Sequence, residues 1–186
     1  MKGAIDTGKL RPNQGRTNQK LYFAKLQLDR ITLLLAEKTA YAWEAEALSS
    51  REAAILHLHG AYIAFLQELV RFYKLGGPLL DSEALRLAMS AKGQVSPEIS
   101  VFQNLEQNGE SWLAALLQAH QRCLIAPDVA PLEAPEDEPE SLGRGIGLVA
   151  IADDEPLSAP DLQNIQSWHR ELTIIIRDFR GEMAEW

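Results

Sequence analysis

The sequence predicts an all-α protein: an up-down, four-helix-bundle-like domain with two long helices in an antiparallel hairpin, shorter middle helices and a long C-terminal helix. Three observations carry this. Between Ser49 and Leu75, the apolar residues Ile55, Leu58, Tyr62, Phe65, Leu69 and Phe72 step by three and four. Leu56, His59, Ile63, Leu66, Val70 and Tyr73 form a second row beside them. At about 100° per residue the two rows span roughly 200°, more than a surface helix needs, so other helices must cover this one on several sides. From Leu162 to Trp186 the same spacing recurs through Ile165, His169, Leu172, Ile176, Phe179 and Met183. Between these helices only Leu148 to Ala152 could form a short strand, and it would have no partner strand, so irregular docking against the bundle is expected there.

The first element begins after a polar, glycine- and proline-containing arm, residues 1–15. Gly3 to Lys9 has phosphate-loop spacing, but Leu10 stands where that loop needs Ser or Thr, and Arg11-Pro12 stands where it needs a helix. The first helix is expected from about Thr17 to Leu48. Tyr22, Leu26, Leu33, Ala36, Ala40 and Trp43 make one stripe on it, and Leu21, Ala24, Leu28, Ile31 and Leu35 a second. Asp29 interrupts the first stripe and must reach solvent, take up a proton or, as is expected over a catalytic role, pair with a nearby Lys or Arg.

Ser49-Ser50-Arg51-Glu52 has capping-box spacing. It puts the hairpin turn near residues 48–49, which would bring Arg30 to Glu68 and Lys38 to His59. Gly76-Gly77-Pro78 ends the second helix. Asp81 caps a short helix closing at Lys92-Gly93. Ser96-Pro97 opens another, closed by Asn108-Gly109, and a third runs from Glu110 to about Leu124. Residues 127–147 read as a mobile acidic connector, with Pro127, Pro131, Pro135 and Pro139 every fourth residue and no base among the carboxylates up to Glu140. The chain is thus a basic arm, 1–15, and a single helical domain, 16–186, interrupted by that connector.

Net charge is −8 over 186 residues, yet residues 1–25 carry +5 and the rest −13. An acidic body argues against nucleic acid and anionic membrane as partners. No apolar run is of membrane-spanning length and no signal peptide is visible. Cys123 is the lone cysteine, which fits a reducing compartment. The expected location is the cytoplasm, and no cofactor is predicted.

His59, His120 and His169 each fall in an apolar row on different helices, at levels that could meet. Without carboxylate or cysteine partners they are too thin a set to predict zinc or copper. Arg51 and His57 match the spacing of an R-x(4–6)-H ribonuclease motif, which eleven arginines and four histidines produce by chance.

The run Arg16-Thr17-Asn18-Gln19-Lys20-Leu21-Tyr22-Phe23-Ala24, Arg51-Glu52-Ala53-Ala54 with His57, Ser111-Trp112-Leu113, and the ending Arg177 to Trp186 together resemble a family of small bacterial proteins. That family is classed only as a domain of unknown function. The resemblance implies a helical bacterial protein and transfers no site residue. It directs attention to a polar cluster of Arg16, Asn18, Tyr22, Arg51 and His57, with Gln19 beside it.

The function expected from these features is non-enzymatic: protein–protein interaction or self-association, with Trp43, Trp112 and Trp186 near polar strips. Two alternatives stand beside it. One is a hydrolase or nuclease using His57 or His59 with Arg51, and the other is nucleic-acid binding through the basic arm.

Overall fold

The computed structural model describes residues 14–37, 43–125 and 159–185. Among these the protein is all-α, with six helices and no strand. They are α1 (Gln14–Glu37), α2 (Trp43–Phe72), α3 (Ser82–Ser90), α4 (Pro97–Gln107), α5 (Trp112–Leu124) and α6 (Ala159–Ala184). The arm before Gln14, residues 38–42, residues 126–158 with the whole acidic connector, and Trp186 lie outside the described residues.

α2 is the centre. It contacts α1, α3, α5 and α6 and buries Ala54, Ile55, Leu58, Ala61, Tyr62, Phe65, Leu66, Leu69 and Val70. By length and composition α2 could also cross a bilayer, contrary to the sequence expectation. Its apolar rows are accounted for instead by the helices packed on them.

The hairpin register differs from the one expected. α1 ends at Glu37 and α2 already runs from Trp43, so the chain reverses between those residues and Ser49 to Glu52 lie inside α2. Arg30 pairs with Glu46 rather than Glu68. His57 meets Lys20. A Ser-x-x-Glu pattern is compatible with a helix interior as well as a start, and the sequence has no glycine or proline between Glu37 and Trp43 to signal a boundary there. Ala47, Ser50, Ala54 and Ala61 are buried. Small side chains at such spacing let a neighbouring helix approach closely, which favours continued helix over a loop here.

α1 packs through Leu21, Ala24, Leu28, Ile31 and Leu34, close to the second of its two stripes. Its first stripe faces outward: Tyr22, Leu26 and Leu33 are 58%, 44% and 53% exposed. Asp29, in the same row, is exposed and paired with Lys25 at 2.6 Å. α6 runs antiparallel to α1, with His169 level with Leu21 and Arg180 level with Asn18. α5 runs antiparallel to α2, with His120 beside His59 and Cys123 within electrostatic reach of Arg51 and Glu52.

The short helices start where expected. The side chains of Asp81, Ser96 and Ser111 accept from the amides of Ala84, Ile99 and Ala114. α2 stops slightly earlier than the glycines suggest. Lys74 takes a left-handed conformation (φ 51°) while the Leu75 amide donates to the Val70 carbonyl. After α3, Gly93 (φ 66°) and the Gln94 to Met89 bond repeat the same closure with the residue type that suits it. An aromatic cluster locks α4 onto the long helices. The Phe102 ring lies 5.2 Å from Tyr62, 5.9 Å from Phe65 and 5.6 Å from Phe179, centroid to centroid.

Candidate functional site

The polar residues singled out in the sequence separate into distinct places. Arg16, Lys20 and His57 share one side of the α1–α2 pair. Lys20 Nζ lies 3.4 Å from His57 Nδ1, and the Phe23 ring is 5.3 Å from the imidazole. Gly60, one helical turn along α2, makes room for the Lys20 stem: a Cβ there would lie 3.3 Å from Lys20 Cε. Burial, then the charges of Lys20 and Arg16, lower the His57 pKa. A neutral ring between two cations can accept a proton only at their electrostatic expense.

Arg51 is not part of that group. Its Nε is buried with no hydrogen-bond partner among the described residues, on the side of α2 where α5 brings Cys123. The Arg51–His57 pattern is therefore divided between two faces of α2. Tyr22 stands on the outer face of α1, its ring 6.4 Å from Phe23.

Asn18 joins a network that the sequence did not reveal. Glu68 is almost fully buried. Arg180 reaches it from α6, with Nη2 donating to Oε1 at 2.7 Å and Nε donating to Oε2 at 3.0 Å. Thr17 Oγ1 donates to the same carboxylate, and Arg180 Nη1 donates to Asn18 Oδ1 at 2.8 Å. The guanidinium lies 6.0 Å from the centroid of Phe65. Three helix ends are thus clamped by one forked donor whose geometry matches a carboxylate. An open cavity of about 280 Å³ lies beside the clamp, lined by Gln14, Glu68, Arg71, Phe72, Arg180 and Met183, with Ala184. With Glu68 and Asn18 occupying Arg180, that cation is committed to holding the fold.

His59 and His120 stack, ring centroids 3.6 Å apart and planes within 15° of parallel. Burial first, and His120 second, hold the His59 imidazole down at about 4; burial also lowers His120. His169 is elsewhere: its Nε2 lies 3.1 Å from the Leu21 carbonyl on α1. The three histidines do not converge, because face-to-face stacking uses two of them and a backbone carbonyl takes the third. Among the described residues no group of three His, Cys, Asp or Glu side chains is placed to hold a metal ion.

Two further carboxylates serve the helix junctions. Glu106 accepts from Tyr62 and from Ser82, tying α2 and α3 to α4. Glu98 accepts from Tyr73 and Ser96 at the start of α4. Burial, then Glu106, raises the Tyr62 pKa, while burial is the main cause that pushes Tyr73 up to about 12. Cys123 donates to the Ala119 carbonyl, and burial raises its pKa, as befits a structural thiol. Trp43 and Trp112 lie partly buried against the core.

Among the described residues, the outer face of α1 is one of the places where large apolar side chains stand exposed, through Tyr22, Leu26 and Leu33. Its apolar side chains lie opposite those that the same helix buries, on a convex ridge.

Among the described residues, helices joined by buried carboxylate clamps define an all-α protein as the class of this chain. Residues 12–186 match a family of unknown function, DUF6586, and the chain belongs to it. No curated protein and no solved structure was found to match it.

Proposed function

We propose that this protein acts by association with another protein, through the outer face of α1. One observation carries the reading: Tyr22, Leu26 and Leu33 share one face of α1, with Asp29 in the turn between the two leucines, and all three are about half exposed. Isolated exposed leucines are ordinary on a protein surface, but a row of them along one helix face is a docking feature. The polar groups of the chain add support from the other side. Arg180, Glu68, Glu98 and Glu106 are occupied in joining helices, and among the described residues neither His57 nor His59 has a carboxylate partner with which to form a general acid–base pair.

The experiment is site-specific cross-linking in the living cell. A photoreactive residue at position 26 or 33 should give discrete protein adducts, and one at the exposed Gln163 of α6 should give none. Adducts that are equally absent or equally diffuse at all three positions would overturn the reading.

A further inference from the structure

We infer that the partner of this face is a second copy of the chain, its α1 lying antiparallel to the first about a two-fold axis near residues 27 and 28. The inference rests on the reading of α1 as an interaction surface and adds the identity of the partner.

The spacing of Tyr22, Leu26, Asp29 and Leu33 is four-three-four, the repeat of a coiled-coil seam. The ridge is convex, since the buried row Leu21, Ala24, Leu28 and Ile31 lies on the opposite side of the helix. A convex apolar ridge of about three turns suits another helix better than an extended peptide, which needs a groove or a sheet edge.

The charges select the partner and its direction. Asp29 sits within the seam and Lys25 flanks it one turn earlier, both more than half exposed. In a parallel pairing of two copies, Asp29 would face Asp29 within the seam. Like charges so placed oppose association. With the direction reversed, Tyr22 meets the second copy's Leu33, and Leu26 lies across from the second copy's Asp29. The two-fold keeps Lys25 and Asp29 on one flank of the seam. Each Lys25 then reaches the level of the other chain's Asp29 to within about one residue, a rise of roughly 1.5 Å. Two solvent-exposed pairs within single helices become two pairs between helices. Arg30, the remaining cation near the axis, is neutralised by Glu46 of its own chain at 2.5 Å. The face is thus complementary to itself in charge, with Tyr22 packed on Leu33 at each end of the seam, as an isologous interface requires.

The test is sedimentation velocity on the full chain over a range of concentrations at low salt. The expected result is a reversible dimer, lost in Leu26→Glu and in Leu33→Glu. Lys25→Glu and Asp29→Lys should each raise the dissociation constant about tenfold or more, because each puts like charges across the axis. Mixing those two variant chains should restore association as a heterodimer, since every introduced charge then faces its opposite. Circular dichroism verifies that the variants remain folded, and the mixing result cannot arise from a role confined to one chain. A monomer at every concentration, a dimer indifferent to these four substitutions, or a mixture that fails to recover would each overturn the inference. A monomeric chain that still cross-links at positions 26 and 33 would overturn the self-pairing alone, whereas absence of those adducts would remove the interaction surface itself.

Discussion

Glu68 and Arg180 show what a single buried charge asks of its surroundings. A carboxylate taken out of water needs a cation and further donors, and Glu68 receives both from residues far away in the sequence. Glu68→Ala should therefore cost about 3 kcal/mol or more in urea unfolding, because Arg180 keeps its partly buried position without a counter-charge. Replacing both, as Glu68→Met with Arg180→Met, should recover much of that loss. His59 gives a second expectation at this scale. Its folded pKa of about 4 lies below the ordinary 6.5, so the unfolded chain binds a proton in the window between them and the folded chain does not. The stability it contributes is complete above pH 6.5 and is lost as the pH falls through about 4. Allowing for solvent around a ring only half buried, the difference amounts to about 1–2 kcal/mol. His59→Phe, which keeps an aromatic ring against His120, should lose correspondingly less stability than the native chain between pH 7 and pH 4.5. The sequence showed both histidines in apolar rows but not their stacking, which depends on how α5 is placed against α2. Arg180 was invisible for a related reason: a clamp made across more than a hundred residues leaves no local pattern.

Elements were legible where the chemistry that ends them is local. Asp81, Ser96 and Ser111 each accept from an amide three residues on, and each helix begins where its cap says. Ser111→Ala should cost about 1 kcal/mol in thermal or denaturant unfolding, the ordinary value of a lost cap. The hairpin turn was misplaced because capping-box spacing states only that two side chains could reach two amides. Whether a helix starts there depends on what covers Ala47, Ser50 and Ala54, and all three are buried. Gly60 illustrates a compromise within one element. Alanine there gains helix propensity, and its Cβ would press only on the flexible end of Lys20. Gly60→Ala should stabilise the chain by about 0.5 kcal/mol and displace the Lys20 ammonium from His57. An NMR titration would then show the His57 pKa move upward towards its ordinary value, since one of the charges lowering it has withdrawn. α1 carries the most consequential reading at this scale. Its two apolar stripes are equivalent as sequence, yet one forms the core and the other faces solvent.

The whole molecule is organised around α2, with α4 held to it through aromatic rings. Phe102 has no exposed surface and contacts Tyr62, Phe65 and Phe179. Phe102→Ala should cost about 3–5 kcal/mol by equilibrium unfolding, because rings from two long helices would face the resulting void. By itself the sequence determined the all-α class, the central role of the Ser49 to Leu75 stretch, the three short helices with the caps of the first two, and the family. These follow from hydrophobic period and local hydrogen bonding, both of which act over a few residues. Only the tertiary structure decided where the chain reverses after α1, which stripe of α1 is buried, and which cation serves Glu68. It also separated the candidate polar cluster, leaving Arg16 with His57, Asn18 with Arg180, Tyr22 on the outer face and Arg51 on the side towards α5. The physical reason is common to all of these. Burial is a property of what packs against a residue, and periodicity along one helix cannot tell a face that meets another helix from one that meets water.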